Sequence, residues 1–396
     1  MEHGVPRCLL LVSADAEVDR VRAERGEAPA RDYLELAARL GADVFGAGRL
    51  RQGRLVRLLA RLLGTGPAIA VCAFPRTGRY DLVFSDSERI GMLLGALLRL
   101  RGRRPRHVML GHHLTPPKKG PFLRLARRGI DHLIVHAEPQ RRFAVERLGF
   151  DEGQVEVQPY QVDTAFWRPI GVADGEAVIA TAGLEFRDYE TLIEAVRDME
   201  VEVRIGAASY WSSKANRLAR RSVPANVQVR PYAYTELREL YGRSRLIVVP
   251  LLDTDFQAGV TTILEAMAMG KAVIVTRSRG QRDVVRGPLW QEAHAAWPAA
   301  GPRVSESTGI YVAPGDAGGL RSAIAFLVRR PDVAETLGAN GRRLAVESYT
   351  VQALGREFAR VLNHVASSGL ARGGEEGNPP DSSGQFKQSD DLPSPG

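Results

Sequence analysis

The chain has 396 residues, 44% hydrophobic and 25% charged, which suits two ordinary globular domains and excludes wholesale disorder. Its apolar runs, such as 8–12 and 246–252, are strand-sized and far short of the roughly 18 to 20 residues a spanning helix needs. The formal net charge of +8 is uneven, +9 over residues 1–170 and −1 over the rest, so an anionic substrate, an anionic lipid surface or nucleic acid could each be a partner of the first half.

No nucleic-acid module signature accompanies that charge, so nucleic acid is not an expected partner. The start, MEHGVPRCLLLVSADAE, has too short an apolar core and an acidic flank for a secretory signal, which predicts a cytoplasmic protein. Cys8 and Cys72 lie in apolar runs with no Cys or His at metal-ligand spacing, so they read as buried free thiols.

In chain order, CLLLV (8–12) predicts a strand, 30–40 a helix, and AIAVCAF (68–74) and DLVFS (81–85) strands. A helix over 88–100, strands HVMLG (107–111) and HLIVH (132–136), a helix over 139–148 and a strand VEVQP (155–159) follow. Short apolar strands alternating with amphipathic helices predict a parallel sheet covered on both faces, a Rossmann-like domain over 1–168. Within it RLRQGRLVRLLARLL (49–63) spaces arginines at 49, 51, 54, 57 and 61 between leucines. Such a basic amphipathic helix either lies on an anionic membrane or packs inward with its arginines solvated. His112-His113-Leu114 closes one apolar run, where His112 is either a plain polar cap or a group facing a cleft.

The second half repeats the alternation, with strands at 177–183, 201–207, 227–231, 246–250, 272–276 and 309–314 and helices at 189–197, 235–241 and 316–329. A second Rossmann-like domain over 169–350 follows, with its ligand expected at the carboxyl ends of the strands. The stretch 286–308 exceeds an ordinary loop and reads as a lid or a partner surface. A helix over 351–367 ends the ordered chain. Residues 368–396 are Gly, Pro and Ser with almost no apolar content and predict a disordered tail.

The most informative stretch is 246–283, LIVVPLLDTDFQAGVTTILEAMAMGKAVIVTRSRGQRD. It reads as strand, loop, helix, Gly-Lys turn and strand. Small residues at the helix start leave the N–H groups of Val260 and Thr261 free beside a positive dipole end, a natural seat for a diphosphate. Glu265, about a turn further in, can accept hydrogen bonds from ribose hydroxyls. Upstream, Gly183 lets the backbone approach a ligand and Arg187 offers a guanidinium to diphosphate charge, or the two are only a turn and a surface cation. Tyr232, after the third strand, either stacks on a base or only packs. Asp253-Thr254-Asp255 invites a rival reading as a divalent-cation site.

Glu265-Ala266-Met267-Ala268-Met269-Gly270-Lys271-Ala272-Val273 resembles the nucleotide-sugar segment of retaining glycosyltransferases of the GT-B fold, family 4. Val162-Asp163-Thr164-Ala165-Phe166-Trp167-Arg168-Pro169 looks like that family's inter-domain passage. The resemblance implies two Rossmann-like doubly wound parallel-sheet domains facing a cleft, with the helix after 351 crossing back to brace the first. It implies a metal-independent hexosyltransferase that needs no cofactor, using a UDP- or GDP-type sugar donor and a hydroxyl acceptor. Glu265 takes the family's second glutamate, whereas Gln257 stands where the first is expected. Thr181 to Tyr189 is similar to a shortened form of the Gly-Arg-x-x-x-Lys phosphate site, with Leu184 in place of the arginine. His112 corresponds to the histidine that reaches toward the donor sugar. The expected catalytic residues are therefore His112, Gln257 and Arg187, and the nucleotide-binding residues Gly183, Arg187, Tyr232, Val260, Thr261 and Glu265. The remaining alternative is a non-catalytic scaffold that binds nucleotide without transferring sugar.

Overall fold

The structure is a computed structural model that describes residues 6–51, 53–171, 178–206, 223–293 and 306–372. Its first sheet comprises β1 (Cys8–Leu11), β2 (Asp43–Phe45), β3 (Leu82–Ser85), β4 (Arg106–Gly111), β5 (His132–Val135) and β6 (Val155–Val157). These are paired in the order β2-β1-β3-β4-β5-β6, all parallel. The second comprises β7 (Val178–Ala182), β8 (Glu202–Gly206), β9 (Val227–Arg230), β10 (Leu246–Val249), β11 (Ala272–Thr276) and β12 (Gly309–Val312). Its order, β12-β11-β10-β7-β8-β9, is again wholly parallel and reverses at β7 and β10, the arrangement of a doubly wound nucleotide fold. The central strands are buried on both faces, as their near-continuous Val, Ile and Leu content requires. Two such domains face to face are the GT-B architecture.

One expected strand is a helix. AIAVCAF lies in the helix Thr65–Ala73, which buries Ala68, Ile69, Ala70 and Ala73 against Leu9, Leu11, Val83 and Ile90. The alanines are strong helix formers and slim enough for a helix to sit close between its neighbours, so an apolar run without polar alternation marked burial, not a strand. The edge strand β2, only three residues long, left no run to read.

The last helix, Val351–Arg372, packs on the first sheet, with Phe358, Val361, Leu362 and Val365 among Leu10, Phe84, Val108 and Ile134. Phe358 meets Phe84 edge-on at 6.4 Å. The helix continues past Ser367 to Arg372, so residues 368–372, expected to belong to the tail, are helical. Once a helix is nucleated each further residue adds a hydrogen bond at little cost. Residues 373–396 lie outside the described part. In 286–308, the short helix Trp290–Ala293 packs Trp290 on Phe326, and Thr308 N donates to Arg286 O, pinning the ends together. The remainder of that stretch, 294–305, lies outside the described residues.

Candidate nucleotide-sugar site

The helix Val260–Ala268 begins at the carboxyl end of β10, beside the topological switch. Its N-cap is Gly259, with φ +76°, a conformation that L side chains rarely adopt. A Cβ there would lie 2.8 Å from Val249 Cγ1 and 2.9 Å from Leu251 Cδ2. The glycine thus lets the chain turn tightly off β10, and the first helical N–H groups, those of Val260 and Thr261 among them, have no intrahelical acceptor.

Arg187 lies across this helix start. Its Nε donates to Ala182 O at 2.9 Å, Nη1 to Glu185 O at 3.0 Å and Nη2 to Thr262 Oγ1 at 3.1 Å. Two flanking residues without side chains leave it room in this position. A Cβ on Gly183, where φ is +100°, would meet the guanidinium at 2.5 Å, and one on Gly259 would come within 3.3 Å. The two glycines and the arginine, 76 positions apart at the extremes, form one unit that fixes a positive charge at the positive end of a helix.

Glu265 projects from the next turn and is largely buried. Burial pushes its carboxyl up to about 8, while Arg31 and Arg187 pull it back. Arg31 is a candidate site residue that the sequence does not signal. It belongs to the first domain, donates from Nη2 to Tyr234 Oη at 3.3 Å and has Asp19 Oδ2 3.5 Å from Nε. Nothing local marks its reach across the cleft, because Tyr234 lies 203 residues away in the chain. Asp163 of the inter-domain passage holds its segment by accepting from Ala30 N at 2.8 Å.

Tyr232 carries the Arg230 guanidinium 3.7 Å from its ring centroid and packs against the edge of the second core. Gln257 is buried, and its Oε1 has no hydrogen-bond partner. Asp253 accepts from Arg279 N at 2.9 Å and Nε at 3.0 Å, whereas Asp255 accepts from Thr115 Oγ1 at 3.0 Å. The two carboxylates of the Asp-x-Asp phrase therefore serve different partners, and no group of three metal-ligating side chains occurs among the described residues.

His112 does not point freely across the cleft. Its Nε2 lies 2.9 Å from the Asp86 carbonyl and its Nδ1 2.8 Å from Tyr160 Oη. Because a carbonyl can only accept, Nε2 carries the proton, and in the neutral ring Nδ1 accepts from the tyrosine. The neighbouring His113 is the ring that meets the second domain, stacked on Phe256 with centroids 4.1 Å apart. Beside it Gln140 Nε2 donates to Asp255 O at 3.0 Å. Among the described residues the cleft is spanned by Arg31 with Tyr234 and by the His113, Thr115 and Gln140 group with Phe186 and residues 255–256.

Residues 178–330 match the family model for glycosyl transferases group 1. Among solved structures, the Anabaena protein HepE in complex with UDP and glucose is 17% identical over 90% of this chain and 99% of its own, with a TM-score of 0.61. Sucrose-phosphate synthase from Thermosynechococcus elongatus is 18% identical over 91% of this chain and all of its own, with a TM-score of 0.66. A glycosyltransferase from Rickettsia africae is 16% identical over 91% and 98%, with a TM-score of 0.60. No curated protein sequence matches significantly. The class that this domain and fold define is a glycosyltransferase of GT-B architecture. At these identities the structural likeness carries the fold alone.

Proposed function

We propose that the chain is a retaining, metal-independent enzyme of family 4 type, which moves a hexose from a nucleoside diphosphate sugar to an acceptor hydroxyl. The observation that carries this is the seating of Arg187 between Gly183 and Gly259, at a helix start whose next turn holds Glu265. Charge that develops on the departing diphosphate would meet the Val260 and Thr261 N–H groups and Arg187, and such preorganised donors can supply about 3 kcal/mol of barrier lowering each. Glu265 anchors the ribose, Tyr232 borders the base, and Gln257 with His113, the ring that meets the second domain, orients the sugar, while Tyr160 and the Asp86 carbonyl hold His112 back from it. HepE, a structural relative, was solved with UDP and glucose, which favours a UDP-type donor here.

The test is incubation with UDP-, GDP- and dTDP-hexoses, with and without EDTA, followed by mass spectrometry. Donor turnover that survives the chelator is expected, with an α-linked product from an α-linked donor. Complete loss in EDTA with rescue by Mn²⁺ would refute metal independence. A second reading, a scaffold that binds nucleotide without transfer, draws on Gln257, a neutral side chain with a buried unpaired oxygen where a glutamate is expected. Nucleotide binding with neither transfer nor donor hydrolysis is its signature.

The first domain's partner in this reading is an anionic membrane surface. No helix among the described residues is long and apolar enough to cross a membrane. The helix Arg54–Leu63 instead turns Val56, Leu59 and Ala60 inward and leaves Leu58, Leu62 and Leu63 in solvent beside Arg57 and Arg61.

A further inference from the structure

The helix Val260–Ala268 is held at its far end as well as at its start. The last carbonyls of a helix lack intrahelical donors and form its negative pole, and here an arginine meets them. Arg342, on the helix Pro331–Ser348, donates from Nη1 to Ala268 O at 2.7 Å, to Trp167 O at 2.9 Å and to Thr164 O at 3.3 Å. Its Nη2 also donates to Thr164 O, at 3.3 Å. All these acceptors are backbone carbonyls, and among the described residues no carboxylate pairs with Arg342. One guanidinium thus joins the end of the diphosphate helix to the passage between the domains. A Cβ on Gly270 would lie 3.6 Å from Pro169 Cγ, so the turn after the helix rests on that passage directly.

The passage in turn holds the first domain. Asp163 Oδ2 accepts from Ala30 N at 2.8 Å, while its Oδ1 accepts from Ala165 N at 3.0 Å and Phe166 N at 3.1 Å. Ala30 is the chain neighbour of Arg31, which reaches across the cleft to Tyr234 and whose charge acts on Glu265. Tyr234 itself stands edge-on to Phe166 at 6.5 Å and to Trp167 at 6.4 Å. The chain's return crossing lies alongside, with Val162 N donating to Tyr349 O at 2.8 Å and Val162 bridged to Thr350. The two crossings form one joint, and Arg342 grips the strand of it that carries Asp163.

We propose that Arg342 is a positioning residue, which relays the seating of a nucleoside diphosphate at the start of the helix to the joint at its end, and through Asp163 to Arg31. A helix of nine residues moves as a rod, so a displacement at Val260 and Thr261 reappears at Ala268. Arg342 passes it to Thr164 and Trp167, and Asp163 passes it to the segment that carries Arg31. A lysine reproduces this poorly, because its ammonium is a point charge on a flexible stem, whereas the guanidinium fork is rigid and planar. The relay rests on the donor reading given above.

Hydrogen–deuterium exchange of the full chain, followed by mass spectrometry with and without UDP, tests it. In the parent, UDP is expected to slow exchange about fivefold at the helix start, 258–266, and also in 30–36 and 112–116, the first-domain segments that face across the cleft. In Arg342→Gln the protection of 258–266 should stay within about twofold of the parent's, while that of the first-domain segments is lost. Should the glutamine variant fail to fold, Arg342→Lys, which keeps the cation without the fork, carries the same comparison. A merely structural role would lower both sets of protection together, so that outcome overturns the inference. It is overturned too if the folded variant protects the first-domain segments as the parent does, or if UDP protects 258–266 alone in the parent. Those results leave the donor reading standing. Absence of UDP protection anywhere in the parent sinks the donor reading, and the relay with it.

Discussion

Glu265 has a cost in the free protein that its ligand would offset. In the unfolded chain its carboxyl titrates near 4.5, and burial raises it to about 8 when folded, against the pull of Arg31 and Arg187. Between those values the folded state holds a proton that the unfolded state has lost, so stability falls as pH rises through that window. Below it both states are protonated and the penalty vanishes. Glu265→Gln removes the buried charge but keeps the shape. The variant should therefore melt with the parent near pH 4.5 and outlast it at pH 9, by on the order of 2 kcal/mol. The same change should weaken UDP binding about tenfold at pH 8, since ribose hydroxyls would lose an ionised acceptor. Thermal melts across pH together with calorimetric titration of UDP check both halves. A variant that is no more stable at pH 9 contradicts the burial argument, and unaltered UDP affinity contradicts the ribose role.

At the scale of elements, the helix Val260–Ala268 depends on one residue without a side chain. Gly259→Ala must hold φ near +76°, which costs an L residue about 1 kcal/mol, and must also push Val249 and Leu251 away from a Cβ within 3 Å of each. A loss of about 2 to 3 kcal/mol is expected, with UDP binding abolished because the N–H groups and Arg187 shift together. Gly102, with nothing near its missing Cβ, supplies the control, and its alanine variant should behave as the parent does in denaturant melts and UDP titration. The helix, its flanking strands and Glu265 could be read from the chain because their signals are local: Val- and Ile-rich runs, small residues at a helix start, a Gly-Lys turn. What could not be read is whatever depends on distant partners. Thr65–Ala73 passes for a strand until the sheet exists for it to cover. The engagement of both His112 nitrogens by Tyr160 and Asp86, and the reach of Arg31 to Tyr234, join residues with no periodic or spacing relation.

For the whole molecule, charge and apolar exposure coincide in the first domain. Its sequence half carries the entire positive excess, and large side chains stand in solvent on it: Leu62 at 72%, Phe122 at 61% and Leu100 at 81% exposed. Scattered exposed leucines are ordinary on a protein surface, but three on one turn-and-a-half of helix, flanked by Arg57 and Arg61, are placed for shallow insertion with charge attraction. Each basic residue near an anionic surface contributes about 1 kcal/mol, and the contribution falls within a Debye length as salt is raised. The protein should therefore sediment with phosphatidylglycerol vesicles and much less with phosphatidylcholine ones, and 0.5 M NaCl should release most of it. Replacing Leu58, Leu62 and Leu63 together with Asn should reduce vesicle binding at least tenfold without lowering the melting temperature, because these side chains contribute little to the core. Turnover of a water-soluble acceptor should be unaffected, since the helix packs on the cluster of Leu9, Ile69 and Val83 in the first domain, not on the helix that carries Glu265. Equal binding to both vesicle types would remove the membrane from the account and leave the arginines as ordinary solvated charge.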